Sequence, residues 1–245
     1  MEMQYEKPSI IEALCEFRFQ PGSKNWDITV FGDFKLKVEK ILNGNRETLE
    51  KVDFTIKKDE SAPQIKRTPQ MRFWSVDKKK LAHVSKDLVS ANVLHPYPGW
   101  KEFKNFILWT LKQYKTAALP GSMERIVLRY VDRLNLPSKN FKLGEWMNCE
   151  GDYLPSSLSD ITELLNYRFL RPTGENKHLG FNLRLVSSLK ESVNLTIDTE
   201  AICDSTTEVE GKIPKLLDQL HSKIIETFEG SITNKFRKFL KPIRD

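Results

Sequence analysis

An α+β fold, with one antiparallel sheet covered by helices on a single face, is predicted from three features. These are strands that alternate apolar and polar residues, two long amphipathic helices, and the same order of elements in each half of the chain. The clearest strand spans residues 125–136. Side chains alternate across a strand, so Ile126, Leu128, Tyr130, Asp132, Leu134 and Leu136 share one face. Arg125, Arg129 and Arg133 share the other, with Val127 and Val131 between them. The first is a core face, and the second presents three arginines.

Residues 10–20 alternate in the same way, with Ala13, Cys15, Phe17 and Phe19 on one side and Glu12, Leu14, Glu16, Arg18 and Gln20 on the other; Pro21-Gly22 ends the strand. From 27 to 42, Val30, Phe31, Phe34, Val38 and Ile41 recur at helical spacing, and Asn43-Gly44-Asn45 stops the helix. Residues 52–56 read as a short strand and 57–70 as a polar loop containing Pro63 and Pro69. Residues 71–76 and 80–88 read as two strands joined at Asp77-Lys78-Lys79. The stretch from Asn92 to Trp100 holds two prolines and Gly99, a tight corner before a helix from 100 to 118. That helix has a core stripe of Trp100, Phe103, Phe106, Ile107, Leu111 and Tyr114, with Lys101, Lys104, Lys112 and Lys115 outside it. Trp109 lies opposite the stripe, which marks either a partner contact or a helix buried on two sides. Residues 137–157 read as loop with Trp146 and Tyr153 as anchors, and 159–170 fit helix or strand equally. Phe181, Leu183 and Leu185, then Val193, Leu195 and Ile197, mark two more alternating strands. A last helix begins near Pro214, with the stripe Ile213, Leu217, Leu220, Ile224 and Phe228, and a basic extension covers 235–244.

Both halves, 1–121 and 122–245, read as opening strand, variable segment, further strands and long helix, which predicts an internal duplication with both halves sharing one sheet. The polar strand faces would then combine. Glu12, Glu16 and Arg18 would lie beside Arg125, Arg129 and Arg133, together with Asn182, Arg184, Asn194, Thr196 and Asp198. Sheets coil, so this charge-dense surface is expected to be concave.

The 245 residues are 39% hydrophobic and 29% charged, which suits a globular chain rather than a disordered one. A net charge of +6 permits an anionic partner without requiring one. Cys15, Cys149 and Cys203 are sparse and unpaired in spacing, which suits a reducing, cytoplasmic setting. His83, His95, His178 and His221 show no metal-ligand spacing, so neither a metal nor a cofactor is expected. Neither a signal core nor a membrane-length apolar run is read from the sequence. Nucleophile-elbow, P-loop, dinucleotide and zinc-protease motifs are missing. Triphosphate-tunnel hydrolases need Glu-x-Glu-x-Lys on their first strand, and here Leu14 separates Glu12 from Glu16 and spoils that register. Glu16 and His83 are the remaining acid–base candidates, without a positioned partner, so no catalytic residue is assigned.

The segments Tyr5-x-Lys7-Pro8-x-Ile10-x-Glu12-Ala13, Asn92-x-Leu94-x-Pro96-Tyr97-x-x-Trp100-x-x-Phe103 and Arg125-x-x-Leu128-Arg129-Tyr130 occur in that order. With Leu195-x-Ile197-Asp198 and the Leu220-His221 to Phe228-Glu229 helix, they resemble a sporadically distributed, uncharacterised family of bacterial proteins of about this length. The resemblance implies a bacterial, cytoplasmic protein and no particular activity. The chain departs from the pattern at Asp132, where asparagine is expected.

The function expected on these grounds is non-catalytic binding through the charged sheet face, by Arg125, Arg129, Arg133, Glu12, Glu16, Arg18, Arg184 and Asp198. The partner would be another protein or an anionic small molecule. Alternatives are a phosphate- or nucleotide-directed enzyme or sensor on the same arginines, and nucleic-acid binding by the lysine-rich helix exteriors and basic C-terminus. Self-association stays open. In a purely structural reading, Glu12, Glu16 and Asp198 pair with the arginines across strands.

Overall fold

The alternating strands assemble into one nine-stranded antiparallel sheet in the computed structural model, which describes residues 5–20, 26–55, 64–138, 141–148, 164–187, 192–204 and 210–243. In chain order the first half comprises β1 (Ile10–Phe19), α1 (Val30–Val38), β2 (Arg46–Thr55), β3 (Gln64–Trp74), β4 (Lys80–Ser85), β5 (Leu88–Leu94) and α2 (Trp100–Ala118). The second comprises β6 (Met123–Pro137), α3 (Leu143–Trp146), β7 (Leu164–Gly174), β8 (Lys177–Ser187), β9 (Ser192–Asp204), α4 (Ile213–Ser231) and α5 (Asn234–Leu240). Across the sheet the order is β2-β3-β4-β5-β1-β6-β9-β8-β7. The two opening strands, β1 and β6, are thus neighbours at the centre. Each is flanked by the last strand of its own half, from which the remaining strands meander outward.

Alternation holds along the whole of β6 from Ile126 to Leu136, one side buried and the other open. The buried sides of β1 and β6 supply Ala13, Cys15, Phe17, Ile126, Leu128 and Tyr130 to the main core, where α1, α2 and α4 pack. Phe34 of α1 meets Phe73 of β3 at 5.2 Å between ring centroids. A second cluster gathers Leu134, Leu136, Leu183, Leu185, Leu195 and Ile197 beneath Trp146, Phe228 and Phe236. Helix ends follow local chemistry. Gly99 takes φ +90° just before α2, and Leu119 closes that helix in the left-handed region with its N–H donated to the Lys115 carbonyl. Thr233 Oγ1 accepts from the Phe236 N–H at 3.3 Å and caps α5. Among the described residues, no helix is long and apolar enough to cross a membrane.

Several local expectations are corrected. Within the loop expected at 57–70, residues 64–70 belong to β3; β4 reaches only residues 71–74 of that strand, so Pro69 sits where one side of β3 is free and its missing N–H is tolerated. The strand expected at 80–88 is two strands, β4 and β5, parted by a turn at Lys86-Asp87. The run read as a corner from Asn92 therefore begins inside β5, and the corner proper starts at the cis His95–Pro96 bond. β5 carries no clear alternation because small polar residues, Ser90 and Asn92, are buried on its second face. Residues 164–170 of the ambiguous segment form a strand, and the basic extension folds as α5. Trp146 is buried as expected, whereas Tyr153 and Cys149 lie outside the described residues. Trp109 is half-buried, packed against the core and stacked near Phe106.

Candidate functional site

The open face of the sheet is built from rows of residues aligned across strands. One row runs Leu14, Arg129, Glu200, Gly180 and Leu170 from β1 through β6, β9 and β8 to β7. The next runs Glu16, Val127, Ile202, His178 and Pro172, and a third begins Arg18, Arg125, Asp204. Leu14 on β1 and Leu170 on β7 line a common cavity of about 490 Å³. Strands four places apart in a flat sheet would be about 19 Å apart, so the sheet coils over this region and the cavity is a trough in its open side.

Charges in the trough are paired. Arg129 donates to Asp198 from Nε at 2.7 Å and from a terminal nitrogen at 2.5 Å, a bidentate fork. Arg125 Nε donates to Asp204 at 2.5 Å, and Arg18 Nε to Glu16 at 2.6 Å. Arg168 approaches Glu200 at 3.9 Å, and His178 Nδ1 lies 3.8 Å from the Asp204 carboxylate. The hydrogen bond to Asp198 holds the Arg129 guanidinium above its ordinary range, and Asp204 does the same for Arg125.

These pairs share a polarity. The four arginine side chains are 41–77% exposed and their carboxylate partners only 16–29%. The acids are sunk and the guanidinium groups stand above them. Arg18 and Arg125 each use one of five N–H donors on the acid and Arg129 uses two, while Arg168 only approaches its acid. Arg18 and Arg125 are directly opposite across β1 and β6. Like charges so placed repel, and their acids offset this only in part.

Four of the residues expected from the sequence, Glu16, Arg18, Arg125 and Arg129, line the cavity. Asp198 lies just outside and aims Arg129 into it. Glu12 is on the same face but accepts from Asn92 Nδ2 at 2.7 Å, and it acts on Arg129 only as a nearby charge. Arg133 and Arg184 are exposed on this face beyond the cavity, and neither forms an ion pair among the described residues. Arg168, His178, Glu200 and Asp204 were missed. Extending the two-residue period of β9 past Asp198 to Glu200 and Asp204 was the available signal. Gly180 was missed too: a Cβ there would lie 2.6 Å from the Glu200 side chain, so its bareness gives that side chain its place.

Polar groups on the covered face are structural by comparison. Asp132 is buried, accepts from Ser9 Oγ at 2.7 Å, and is pushed up to about 7 by burial, with the Ser9 hydrogen bond opposing the rise. Tyr97 and Tyr130 hydroxyls meet at 2.8 Å, and Tyr130 reaches His221 Nδ1 at 3.2 Å. Trp100 stacks on His221 at 4.1 Å and donates to Asp218 at 2.9 Å. The Tyr97–Trp100 corner thereby staples α2 and α4 to β6. His83 faces Gln70 at 3.1 Å on the open side, and burial, helped by Arg72, lowers its basicity. Glu16 hydrogen-bonds Arg18 and shares a cross-strand row with His83 through Ser90, where its charge partly opposes the lowering of the imidazole's basicity. No cluster of acidic, His and Cys side chains among the described residues could hold a metal ion.

Among known proteins, neither a family model nor a curated sequence matches this chain, and the chemistry of the trough rests on its own geometry.

Proposed function

We propose that the chain is a non-catalytic binding protein that captures an anionic group in the trough of its sheet. The observation that carries this is the shared polarity of four ion pairs, with the arginines outward and the acids beneath them. A solvated salt network has no need of that order. A surface presenting spare guanidinium donors around a cavity of small-molecule size fits an oxyanion. The bacterial, cytoplasmic setting that the sequence resemblance implies belongs to the same proposal. So does an origin by duplication of halves 1–121 and 122–245, supported by the way each half meanders outward from the central pair.

Titration calorimetry with pyrophosphate tests the reading. Binding at low ionic strength is expected, and replacing Arg125, Arg129 and Arg168 together by alanine should weaken it at least about tenfold while the melting temperature stays within a few degrees, as for exposed pairs. Undetectable binding to the parent chain sinks the proposal. An oligonucleotide that binds with a steep salt dependence and ignores these replacements would move the function to the lysine-rich helix exteriors.

A further inference from the structure

We infer that the ligand is an amphiphilic anion, a phosphate or carboxylate head on an apolar body of roughly mononucleotide size. The inference rests on the anion-binding reading above and adds the part of the trough that no charge explains. Its floor is apolar. Val127 and Ile202 are directly opposite on β6 and β9, and Leu14 lies on the diagonal from Val127. Leu170, 63% exposed, closes the far side on β7. Single exposed aliphatics on a sheet need no explanation. Here Leu170 joins the half-buried Leu14, Val127 and Ile202 around one cavity of about 490 Å³, and the Glu200 side chain lies over Gly180 beside it.

Cations stand at both ends of this floor, but only one end has two directly opposite each other in register. Arg18 and Arg125 face each other at one end of it, where an oxyanion between them would relieve the repulsion of like charges in register. From that end the floor runs along the strands toward Leu14 and Arg129. A bound molecule is therefore held head-first at the Arg18–Arg125 row, its body lying on Val127 and Ile202. A bare oxyanion leaves the Val127–Ile202 floor uncovered, and a neutral apolar body leaves the Arg18–Arg125 pair unanswered. A molecule with both parts meets both.

The test is a graded set of probes titrated into the full chain: inorganic phosphate, phenyl phosphate, adenosine 5′-monophosphate and adenosine. Phenyl phosphate and the nucleotide are expected to bind at least about tenfold more tightly than phosphate, with adenosine weakest, because only they bury apolar area and engage the arginines together. Replacing Val127 or Ile202 by threonine keeps the branched shape that suits a strand and adds a hydroxyl to the floor. Each should weaken the nucleotide roughly threefold to tenfold and leave phosphate unchanged. Arg18→Ala with Arg125→Ala should weaken both. If phosphate binds through the arginines but the larger probes bind no more tightly and ignore the floor variants, this inference is overturned and the anion reading survives. If neither phosphate nor the larger anions bind, both fail.

Discussion

On the covered side of the sheet, where Lys80 of β4 reaches Glu102 of α2, the lysine is 28% exposed and the acid 56%; for Lys104 and Asp218, between α2 and α4, the values are 21% and 51%. In the trough the order is reversed, with each arginine more exposed than its acid. The two faces use charge for different ends. Beneath the helices, a lysine stem lies along apolar surface and its head emerges to meet an acid in water, so the pair helps to seal the core. In the trough, carboxylates close to the strands hold guanidinium groups above them, and little apolar area is sealed. Removing a covered-face side chain should therefore cost mainly stability, and removing an open-face one mainly ligand.

The most forceful way to break that contrast is a matched pair of truncations. Phe103 is fully buried on α2 and makes edge contacts with Tyr97, Trp100 and Tyr130. Phe103→Ala should cost about 3–5 kcal/mol in urea denaturation, from lost transfer energy plus the cavity left behind. Val127→Ala on the open face should cost about 1 kcal/mol or less. Equal losses would show that the open face is a second core rather than a binding surface.

Part of that contrast is legible in the amino-acid sequence. Parity along β1 and β6 separates Ala13, Cys15, Leu128 and Tyr130 from Glu16, Arg18, Arg125 and Arg129, because both strands have core on one side and an open face on the other. β5 escapes this reading because burial on both faces, with Ser90 and Asn92 on the second, erases the alternation. The cavity itself is only half legible. Arg168 and His178 enter it through the pairing of β7, β8 and β9, which long-range register decides and local pattern does not. The same limit explains why Glu12, expected to answer an arginine, instead binds Asn92 of β5.

Asp132 gives a pH-dependent form of the contrast, because it is an acid on the covered face with no cation paired to it among the described residues. Its folded-state value is raised from the ordinary 3.8 to about 7, so the folded chain holds a proton that the unfolded chain releases. The stability this group contributes is complete below about pH 4 and is lost as pH rises toward and through 7. A rise of that size corresponds to up to about 4 kcal/mol above neutral pH. Asp132→Asn keeps an acceptor for Ser9 Oγ and carries no charge. The variant should be more stable than the parent at pH 8 by up to about that amount, with the gap closing near pH 4. Urea melts at pH 4, 6 and 8 measure this, and parallel profiles for the two chains would rule out a buried, protonated Asp132.

The smallest expected effect is the sharpest test of what the sunken acids do. Asp198 holds Arg129 by two hydrogen bonds, yet the arginine is 41% exposed, so water screens the pair and its stabilising contribution is about 1 kcal/mol or less. For a chain of 245 residues this shifts the melting temperature by only about 2–4 °C. Asp198→Asn leaves Arg129 in place and removes half of the fork that aims it. If the acid serves to position the guanidinium, pyrophosphate affinity should fall even though a negative charge has been taken away from the trough. If the acid is only a counter-charge, the same substitution should strengthen anion binding, because the local field becomes more positive. The sign of the change in calorimetric affinity, read beside an almost unaltered melting temperature, decides whether the open face is a set of aimed donors or a neutralised salt network.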